Sequence, residues 1–221
     1  MNLDPQSALR DSTTLMLDMD GTLLDLAFDN YIWKELVPRR YAVENNMPFE
    51  EARELLIAKY AAVQGGLEWY CLDHWSDRLD MDVVQLHYDV SHRIGYLPGA
   101  LEFLRRVHEQ DVRVLLVTNA HRDTLALKDA MTGLGDYFDG LYSSHDYGYA
   151  KESQNFWCAL QEDVGFDLDT TLFVDDSLSV LRSAQEYGIE RLVTVTQPDT
   201  TEAIRPTTEF RCVQRVAELL D

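Results

Sequence analysis

The sequence predicts an α/β protein with a parallel sheet and an all-helical segment inserted after the first strand. Three short apolar runs end on polar residues, a pattern typical of strands buried in a parallel sheet. Amphipathic helical patterns separate the later runs, as crossover helices do. Roughly 80 residues lie between the first run and Pro98, far more than one crossover helix needs.

Five strands are predicted in chain order, and each is short and rich in β-branched or large aliphatic residues. They are "TTLMLD" ending at Asp18, "VRVLLVTN" ending at Asn119, "GLYSS" from Gly140, "TTLFVDD" ending at Asp176 and "RLVTVT" from Arg191. The helices between them are "ALEFLRRVHEQ", "DTLALKDAMTGLG" and "SLSVLRSAQEYGI". The last two stop at glycine, which suits a helix C-terminus. Such alternation predicts a parallel sheet with helices on both faces.

The long interval after the first strand is predicted to be helical throughout. In "FEEARELLIAKYAAV", one predicted apolar face consists of Phe49, Ala52, Leu55, Leu56, Tyr60 and Val63, and Pro48 suits the first turn. The sequence therefore predicts a core domain of residues 1–25 and 96–221 and a helical cap domain of residues 26–95.

Composition and charge narrow the class of protein. The 221 residues are 46% hydrophobic and 26% charged, as in a globular protein, and the net charge of −20 argues against a nucleic-acid partner. A small phosphorylated ligand remains compatible, because a metal and local cations can capture it. No apolar segment is long enough for a membrane span and the N-terminus does not resemble a signal peptide, so a cytoplasmic protein is expected. Cys71, Cys158 and Cys212 show no metal-ligand spacing and are predicted to be reduced structural thiols.

Polar residues follow three of the predicted strands, at the sheet edge where parallel α/β proteins bind ligands. They are Asp18, Asp20, Thr118, Asn119, Asp175 and Asp176. Two carboxylates as close as Asp18 and Asp20 repel each other, so the pair calls for a compensating partner. A hard divalent cation is the obvious one.

The segment Asp18-Met19-Asp20-Gly21-Thr22 resembles the DxDGT signature of the haloacid dehalogenase (HAD) superfamily. Thr118, Lys151 and Asp175-Asp176 follow in the order of that superfamily's later motifs. The resemblance extends to one group within it, the GMP/IMP nucleotidases, through "DMDGTLLDLAFDNYIWKELVP", "WYCLDHWS", "TNAHRDTLALK", "GYAKE" and "LFVDDS". It implies a HAD-like Rossmannoid core with an inserted helical cap.

The resemblance implies a division of labour between the first two carboxylates. Asp18 would be the nucleophile that forms an aspartyl-phosphate, and Asp20 would protonate the leaving alcohol and later deprotonate the attacking water. Mg²⁺ would be held by Asp18, the backbone carbonyl of Asp20 and a carboxylate of Asp175 or Asp176. Asp176 is favoured as the direct ligand, while Asp175 is left as a direct or water-mediated one.

The remaining motif residues would bind the phosphoryl group. Thr118 and the turn at Asn119 would donate hydrogen bonds to it, Gly21 would let the chain turn beside it, and Lys151 would offset developing charge. Glu152 departs from the family pattern, in which proline commonly follows the lysine.

Some residues have alternative interpretations. Lys151 could be a solvated loop charge, Thr118 and Asn119 could only cap a helix, and His121 could touch substrate or lie on the surface. Cap aromatics could stack on a purine, although packing between helices is the more ordinary role; they are Tyr31, Trp33, Trp69, Tyr70 and Trp75. Asp29, Asn30 and Arg78 are candidate readers of a base edge, without a choice among them.

The predicted function is a Mg²⁺-dependent phosphatase of purine nucleoside 5'-monophosphates, with GMP and IMP implied by the resemblance. The alternatives are a phosphatase of a sugar phosphate or phosphoglycolate, a phosphomutase, and a non-catalytic protein that binds a phosphorylated ligand. A dehalogenase is disfavoured because the resemblance implies that dehalogenases of this fold lack the second carboxylate, here Asp20, and do not need the metal.

Overall fold

The computed structural model describes residues 5–220 and contains a six-stranded, all-parallel sheet in the order β3-β2-β1-β4-β5-β6. The strands are β1 (Thr14–Leu17), β2 (Arg113–Thr118), β3 (Gly140–Ser143), β4 (Thr171–Asp175), β5 (Arg191–Val195) and β6 (Arg211–Val213). The predicted α/β fold class is confirmed, and β1 lies at the centre, between β2 and β4.

Helices surround the sheet and also make up the segment between β1 and β2. They are α1 (Pro5–Arg10), α2 (Ala27–Tyr31), α3 (Val37–Glu44), α4 (Phe49–Ala61), α5 (Leu67–Tyr70), α6 (Leu72–Leu79), α7 (Val83–Asp89), α8 (Ala100–His108), α9 (Arg122–Thr132), α10 (Ser144–Tyr147), α11 (Gln154–Val164) and α12 (Leu178–Tyr187). A π-helical turn spans Ile32–Leu36, and 3₁₀ turns span Ser91–Arg93, Leu134–Tyr137 and Val216–Leu219. No helix among residues 5–220 is long and apolar enough to cross a membrane.

Alternating side chains of β1 enter two hydrophobic clusters, one on each face of the sheet. Leu15 and Leu17 belong to the cluster that contains α8, whereas Met16 belongs to the cluster that contains α11 and α12. Burial on both faces explains why β1 reads as a continuous apolar run rather than an alternating one.

The helical segment has its own hydrophobic cluster, centred on the fully buried Trp75. Its chain leaves and re-enters the sheet domain side by side, since Asp25 N–H donates to the carbonyl oxygen of Gly95 at 2.9 Å. We refer to residues 26–95 as the cap. The division into this cap and a core of residues 1–25 and 96–221 remains a proposal, which the separate cluster and the paired crossing segments support.

The structure corrects the predicted apolar face of α4. Ala52, Leu56 and Tyr60 are buried, but Leu55 is 40% exposed. The helix packs through a narrow stripe at spacing i, i+4, i+8, and Leu55 lies to the side of that stripe. The sequence patterns also missed α1, α10, α11 and β6; β6 is a three-residue edge strand, too short for a periodic signal.

Buried His87 on α7 is expected to make the stability of the cap depend on pH. Burial lowers its pKa to about 4, and Lys128 adds to the effect while the carbonyl of Val83 and the charge of Asp20 oppose it. The neutral ring packs edge-on against Phe28 and Trp33.

His87→Gln is expected to flatten the pH dependence of unfolding. Because the folded pKa is depressed, the contribution of His87 is present above about pH 6.5 and is lost as the pH falls towards 4. Between pH 7 and 4.5, the wild-type protein should lose about 2 kcal/mol of unfolding free energy relative to the variant. Urea denaturation at both pH values measures this. Exposed His92→Gln is the control, and equal slopes for wild type and His87→Gln would contradict the prediction.

Candidate active site

The carboxyl ends of β1, β2 and β4 bring the predicted site residues together. Because the strands are parallel and Leu17 is in register with Leu116 and Val174, the residues that end the three strands lie side by side. Asp18, Thr118 and Asp175 are 5%, 1% and 1% exposed. These polar groups are therefore held below the surface of the sheet edge, where unpaired charges would be costly.

Lys151 lies in the middle of this group and is 2% exposed, which excludes the solvated-charge interpretation. Its ammonium donates to Asp18 Oδ1 at 2.6 Å, to Asp175 Oδ2 at 2.7 Å and to the carbonyl of Val117 at 3.0 Å. Burial lowers the pKa of Lys151, but Asp175 and Asp18 outweigh it and leave the pKa raised. The lysine is therefore a fixed positive charge against the predicted nucleophile.

Three carboxylates form an oxygen-rich cluster, in which one oxygen from each of Asp18, Asp175 and Asp176 lies within 4.8 Å of the others. Burial raises the pKa of Asp18 well above its usual value despite Lys151, and burial together with Asp175 raises the pKa of Asp176 to about 7. When all three are ionised, Lys151 and the more distant Arg205 offset part of their charge, and the cluster remains net negative. An all-oxygen site with that charge fits a hard divalent cation, so the cluster could hold one.

Asp175 and Asp176 differ in the number of hydrogen bonds that their carboxylate oxygens accept. Asp175 accepts from Lys151 through Oδ2 and from the N–H of Ser177 through Oδ1, at 2.7 and 2.8 Å. Asp176 has a long ion pair, with its Oδ2 3.6 Å from Nη1 of Arg205. Because the oxygens of Asp176 have fewer short contacts, they support the prediction that Asp176 binds the metal directly.

The carboxylate of Asp20 is not part of the three-carboxylate cluster and is held by a lysine that the sequence patterns did not indicate. Lys128 of α9 is 1% exposed, and its ammonium donates to Asp20 Oδ1 at 2.7 Å and to both oxygens of Asp29 at 2.8 Å. Burial raises the pKa of Asp20 to about 6, although Lys128 opposes the shift. A signal was present, since Lys128 shares the buried face of α9 with Thr124 and Leu127.

The turn after β2 faces the candidate active site, and it also positions Lys151. Asn119 Oδ1 accepts from the backbone N–H of Lys151 at 2.9 Å, and its Nδ2 donates to Glu152 at 3.0 Å. Glu152 also accepts from the hydroxyl of Tyr70 in the cap at 2.8 Å. The residue that departs from the family pattern thus links the core to the cap. Direct contact of Asn119 with a substrate stays a prediction.

Thr118 does not cap α9, whose N-cap is His121, and its hydrogen bond to a phosphoryl group stays a prediction. Its hydroxyl oxygen accepts from the N–H of Ala120 at 3.0 Å and so closes the turn before α9. The side chain also lines the cavity above the strand ends.

Gly21 stands where no other residue fits. Its φ is +85°, and an added Cβ would lie 2.7 Å from Cγ of Asp176 and 2.8 Å from Cβ of Pro198. Glycine is required both by the left-handed backbone and by the close approach.

Gly21→Ala is expected to displace Asp176 and weaken metal activation, lowering kcat by about 10- to 100-fold at limiting Mg²⁺. The measurement is a Mg²⁺ titration of phosphatase activity. Gly165→Ala is a matched control because Gly165 also has a positive φ, +63°, but an added Cβ there would meet nothing within 4 Å. Equal effects of the two variants would show that backbone strain alone, rather than the approach to Asp176, explains the loss.

A cavity of about 610 Å³ lies above these residues, between the core and the cap. Its floor includes Asp18, Asp20, Thr118, Lys151 and Asp176. The volume lies in the range of small-molecule binding sites.

Cap helices form the roof of the cavity. Of the aromatic side chains singled out in the sequence, Trp33, Trp69, Tyr70 and Trp75 line it, whereas Tyr31 packs under the guanidinium of Arg93. Trp33 and Trp75 also pack against Tyr60, so the same rings serve the cap core and the cavity wall. Asp29, Asn30 and His121 line the cavity too. Arg78 is exposed and does not belong to the lining.

The model of the family of haloacid dehalogenase-like hydrolases matches residues 13–188. The chain belongs to this family. GMP/IMP nucleotidase YrfG of Escherichia coli (strain K12) is 42% identical over 192 residues, which cover 87% of this chain and 86% of that protein. Phosphoglycolate phosphatase of Pseudomonas fluorescens (strain Pf0-1) is 26% identical over 80% of this chain and 66% of that protein.

A solved structure supports the fold independently. The HAD phosphatase from Thermococcus onnurineus superposes with a TM-score of 0.78 at 20% identity and covers 94% of this chain and 95% of that one. Family membership and the 42% identical relative make the HAD hydrolase described here a phosphoric monoester hydrolase.

Proposed function

We propose that this enzyme hydrolyses purine nucleoside 5'-monophosphates, with GMP and IMP preferred, in a Mg²⁺-dependent reaction through an aspartyl-phosphate. The carrying observation is the convergence of Asp18, Asp20 and Lys151 on the floor of a cavity whose roof is aromatic. The floor supplies the groups for phosphoryl transfer and the roof supplies a surface for a flat base. The extensive identity to a GMP/IMP nucleotidase supports the same substrate class.

Asp18 attacks phosphorus in line with the leaving oxygen. A bond forms between its carboxylate oxygen and phosphorus as the bond from phosphorus to O5' of the nucleoside breaks. Lys151, 2.6 Å from Asp18, offsets the charge on the phosphoryl oxygens in this step. The hydroxyl of Thr118 accepts from Ala120 and so keeps its proton to donate to a phosphoryl oxygen.

Asp20 moves the protons. It gives its proton to O5' as the nucleoside leaves, and then takes a proton from the water that attacks the aspartyl-phosphate and restores Asp18. A pKa of about 6 suits both roles near neutral pH. Lys128, which also donates to Asp29, holds the carboxyl beside the cavity and keeps its pKa from rising further.

The residues that would hold Mg²⁺ are Asp18, Asp176 and the backbone carbonyl of Asp20, with Asp175 bound directly or through water. When bound, the cation would neutralise the phosphoryl group and the acidic cluster. The buried oxygen donors and the raised pKa values of Asp18 and Asp176 support this choice.

Arg53 of α4 is a candidate reader of the base. It lines the cavity and is otherwise engaged in a long ion pair with Glu50 at 3.4 Å. Guanine and hypoxanthine share the acceptors O6 and N7, which a guanidinium can contact together, whereas adenine presents an amino group in place of O6. Arg53 therefore explains a preference common to GMP and IMP over AMP.

The test is phosphate release from GMP, IMP, AMP, UMP, phosphoglycolate and ribose 5-phosphate, with Mg²⁺ and with chelator. We expect the highest kcat/KM for GMP and IMP. Arg53→Met should lower it about 10- to 100-fold for these two substrates and leave hydrolysis of p-nitrophenyl phosphate unchanged. Arg39→Met, exposed on α3, is the control.

The panel also separates the alternatives. Best turnover of phosphoglycolate or ribose 5-phosphate would retain the phosphatase and reject the purine preference. Phosphate transfer to a second sugar hydroxyl instead of water would indicate a mutase. Absence of turnover on every ester would reject the proposed function.

A further inference from the structure

A second cluster of metal-ligating side chains lies at the junction of core and cap, apart from the carboxylates of the reaction. Sγ of Cys71 and one ring nitrogen each of His121 and His145 lie within 4.8 Å of one another. The three residues are far apart in the sequence, which is why the cysteine spacing showed no metal site. Cys71 is a free thiol, and its purely structural role stays a prediction.

The fold builds the cluster from the starts of three helices. His121 is the N-cap of α9 and His145 lies in the first turn of α10, just beyond the ends of β2 and β3. These strands are parallel neighbours with Thr118 opposite Ser143, and the hydroxyl of Ser143 donates to the carbonyl of Ala120 at 2.7 Å. The two rings are thereby held with centroids 4.9 Å apart.

The third ligand comes from the cap. Cys71 is the N-cap of α6, and its sulfur accepts from the backbone N–H of His74 at 3.4 Å. Two residues further on, Asp73 places Oδ2 3.5 Å from Nε2 of His121, so this carboxylate can reach an ion bound at that ring; Asp73 and Asp123 form a separate group around His121. One thiol, two imidazoles and a carboxylate match the ligand types of zinc rather than the all-oxygen set of Mg²⁺.

An unsatisfied polar atom gives a second, independent indication. Nε2 of His145 is buried and has no hydrogen-bond partner within the part of the chain that the structure describes. Buried polar atoms are rarely left unpaired without a reason. A tetrahedral zinc ion holds nitrogen and sulfur donors about 3.4 to 3.8 Å apart, so the cluster needs to contract by only about 1 Å.

We propose that Cys71, His121 and His145, with Asp73, form a Zn²⁺ site that bridges the cap and the core. Two ligands belong to each part, so a bound ion fixes the cap over the cavity. The following consequence rests on the proposed function. Zn²⁺ inhibits phosphate release even when Mg²⁺ saturates the catalytic cluster, because product release needs the cap to open.

The site itself is tested by Co²⁺ as a spectroscopic substitute for Zn²⁺, with the full-length protein in excess Mg²⁺. We expect one equivalent of Co²⁺ to produce a thiolate-to-cobalt charge-transfer band in the near ultraviolet, and Zn²⁺ to displace it. The oxygen ligands of the catalytic cluster cannot produce this band. Its absence from the wild-type protein would overturn the proposal.

Three variants test which residues bind the Co²⁺ that produces the charge-transfer band. Cys71→Ser should abolish it, and the serine keeps an oxygen that can cap α6, so the fold is preserved. His145→Gln should weaken Co²⁺ binding at least about tenfold. Cys158→Ser, at an exposed thiol of α11, should leave the band unchanged. A band that survives in Cys71→Ser or disappears in Cys158→Ser would refute the site.

Inhibition is measured separately. With Mg²⁺ saturating, Zn²⁺ should slow turnover of the wild-type protein and have at least about tenfold less effect on Cys71→Ser. A cobalt band without zinc inhibition would refute the bridging role but retain the metal site. If no ester is hydrolysed at all, the proposed function fails, while the cobalt spectra still decide whether the site exists.

Discussion

Asp18→Asn is expected to lower kcat for phosphate-ester hydrolysis by at least about 10⁴-fold while the protein remains folded. The amide is nearly the same shape as the carboxylate but cannot form the covalent intermediate. Burial and the neighbouring aspartates raise the pKa of Asp18 despite Lys151. The ionised form of Asp18 is therefore energetically unfavourable in the metal-free site.

Stability separates loss of chemistry from loss of fold in this variant. A raised pKa means that the contribution of Asp18 to stability is present below its unfolded pKa and is lost as the pH rises through the folded pKa. At pH 8 without metal, Asp18→Asn should therefore melt at a temperature no lower than the wild type. The exposed Asp77→Asn on α6 is the control for an Asp-to-Asn change. Turnover within tenfold of the wild type would rule out Asp18 as the nucleophile.

Asp20→Asn is expected to lower kcat about 10²- to 10⁴-fold with Mg²⁺ binding largely intact. In the proposed mechanism Asp20 moves protons through its side chain, whereas its expected contribution to the metal is a backbone carbonyl. The carboxylate of Asp20 is not part of the cluster of Asp18, Asp175 and Asp176, and its Oδ1 is paired with Lys128 at 2.7 Å. Metal binding is measured by the Mg²⁺ concentration that half-saturates the shift in melting temperature.

A substrate whose leaving group needs no proton gives a more specific test of the Asp20→Asn prediction. p-Nitrophenolate leaves without a proton, so Asp20→Asn should form the aspartyl-phosphate readily from p-nitrophenyl phosphate and then hydrolyse it slowly. A burst of nitrophenolate equal to one enzyme equivalent, followed by slow turnover, is the expected trace. Loss of metal binding in Asp20→Asn would contradict the placement of its carboxylate, and an unchanged steady-state rate would contradict its role as a base.

The proposed catalytic residues could be predicted from the sequence because most of them lie at strand ends. A buried parallel strand reads as an apolar run, and the polar residue that ends it must lie at the sheet edge. That relation alone places Asp18, Thr118 and Asp175 beside one another. Gly21 was equally readable as a turn, although only the structure shows that Asp176 and Pro198 leave no room for a side chain there.

Lys128, Glu152 and the cluster at Cys71 depended on contacts between distant segments. Lys128 lies 108 residues from Asp20, and Glu152 lies 82 residues from Tyr70, so no local pattern records either pair. The residues that flank a lone lysine or cysteine in the sequence do not indicate which distant residue it contacts.

The sequence by itself determined the α/β class, the helical insertion and the set of residues at the strand ends, because strand and helix periodicity arise from local burial. Only the tertiary structure decided which charges pair, how Asp20 is tuned, and that cap and core meet at Cys71, His121 and His145. Those outcomes depend on how the cap packs on the sheet, and burial in that interface sets both the pKa values and the available partners.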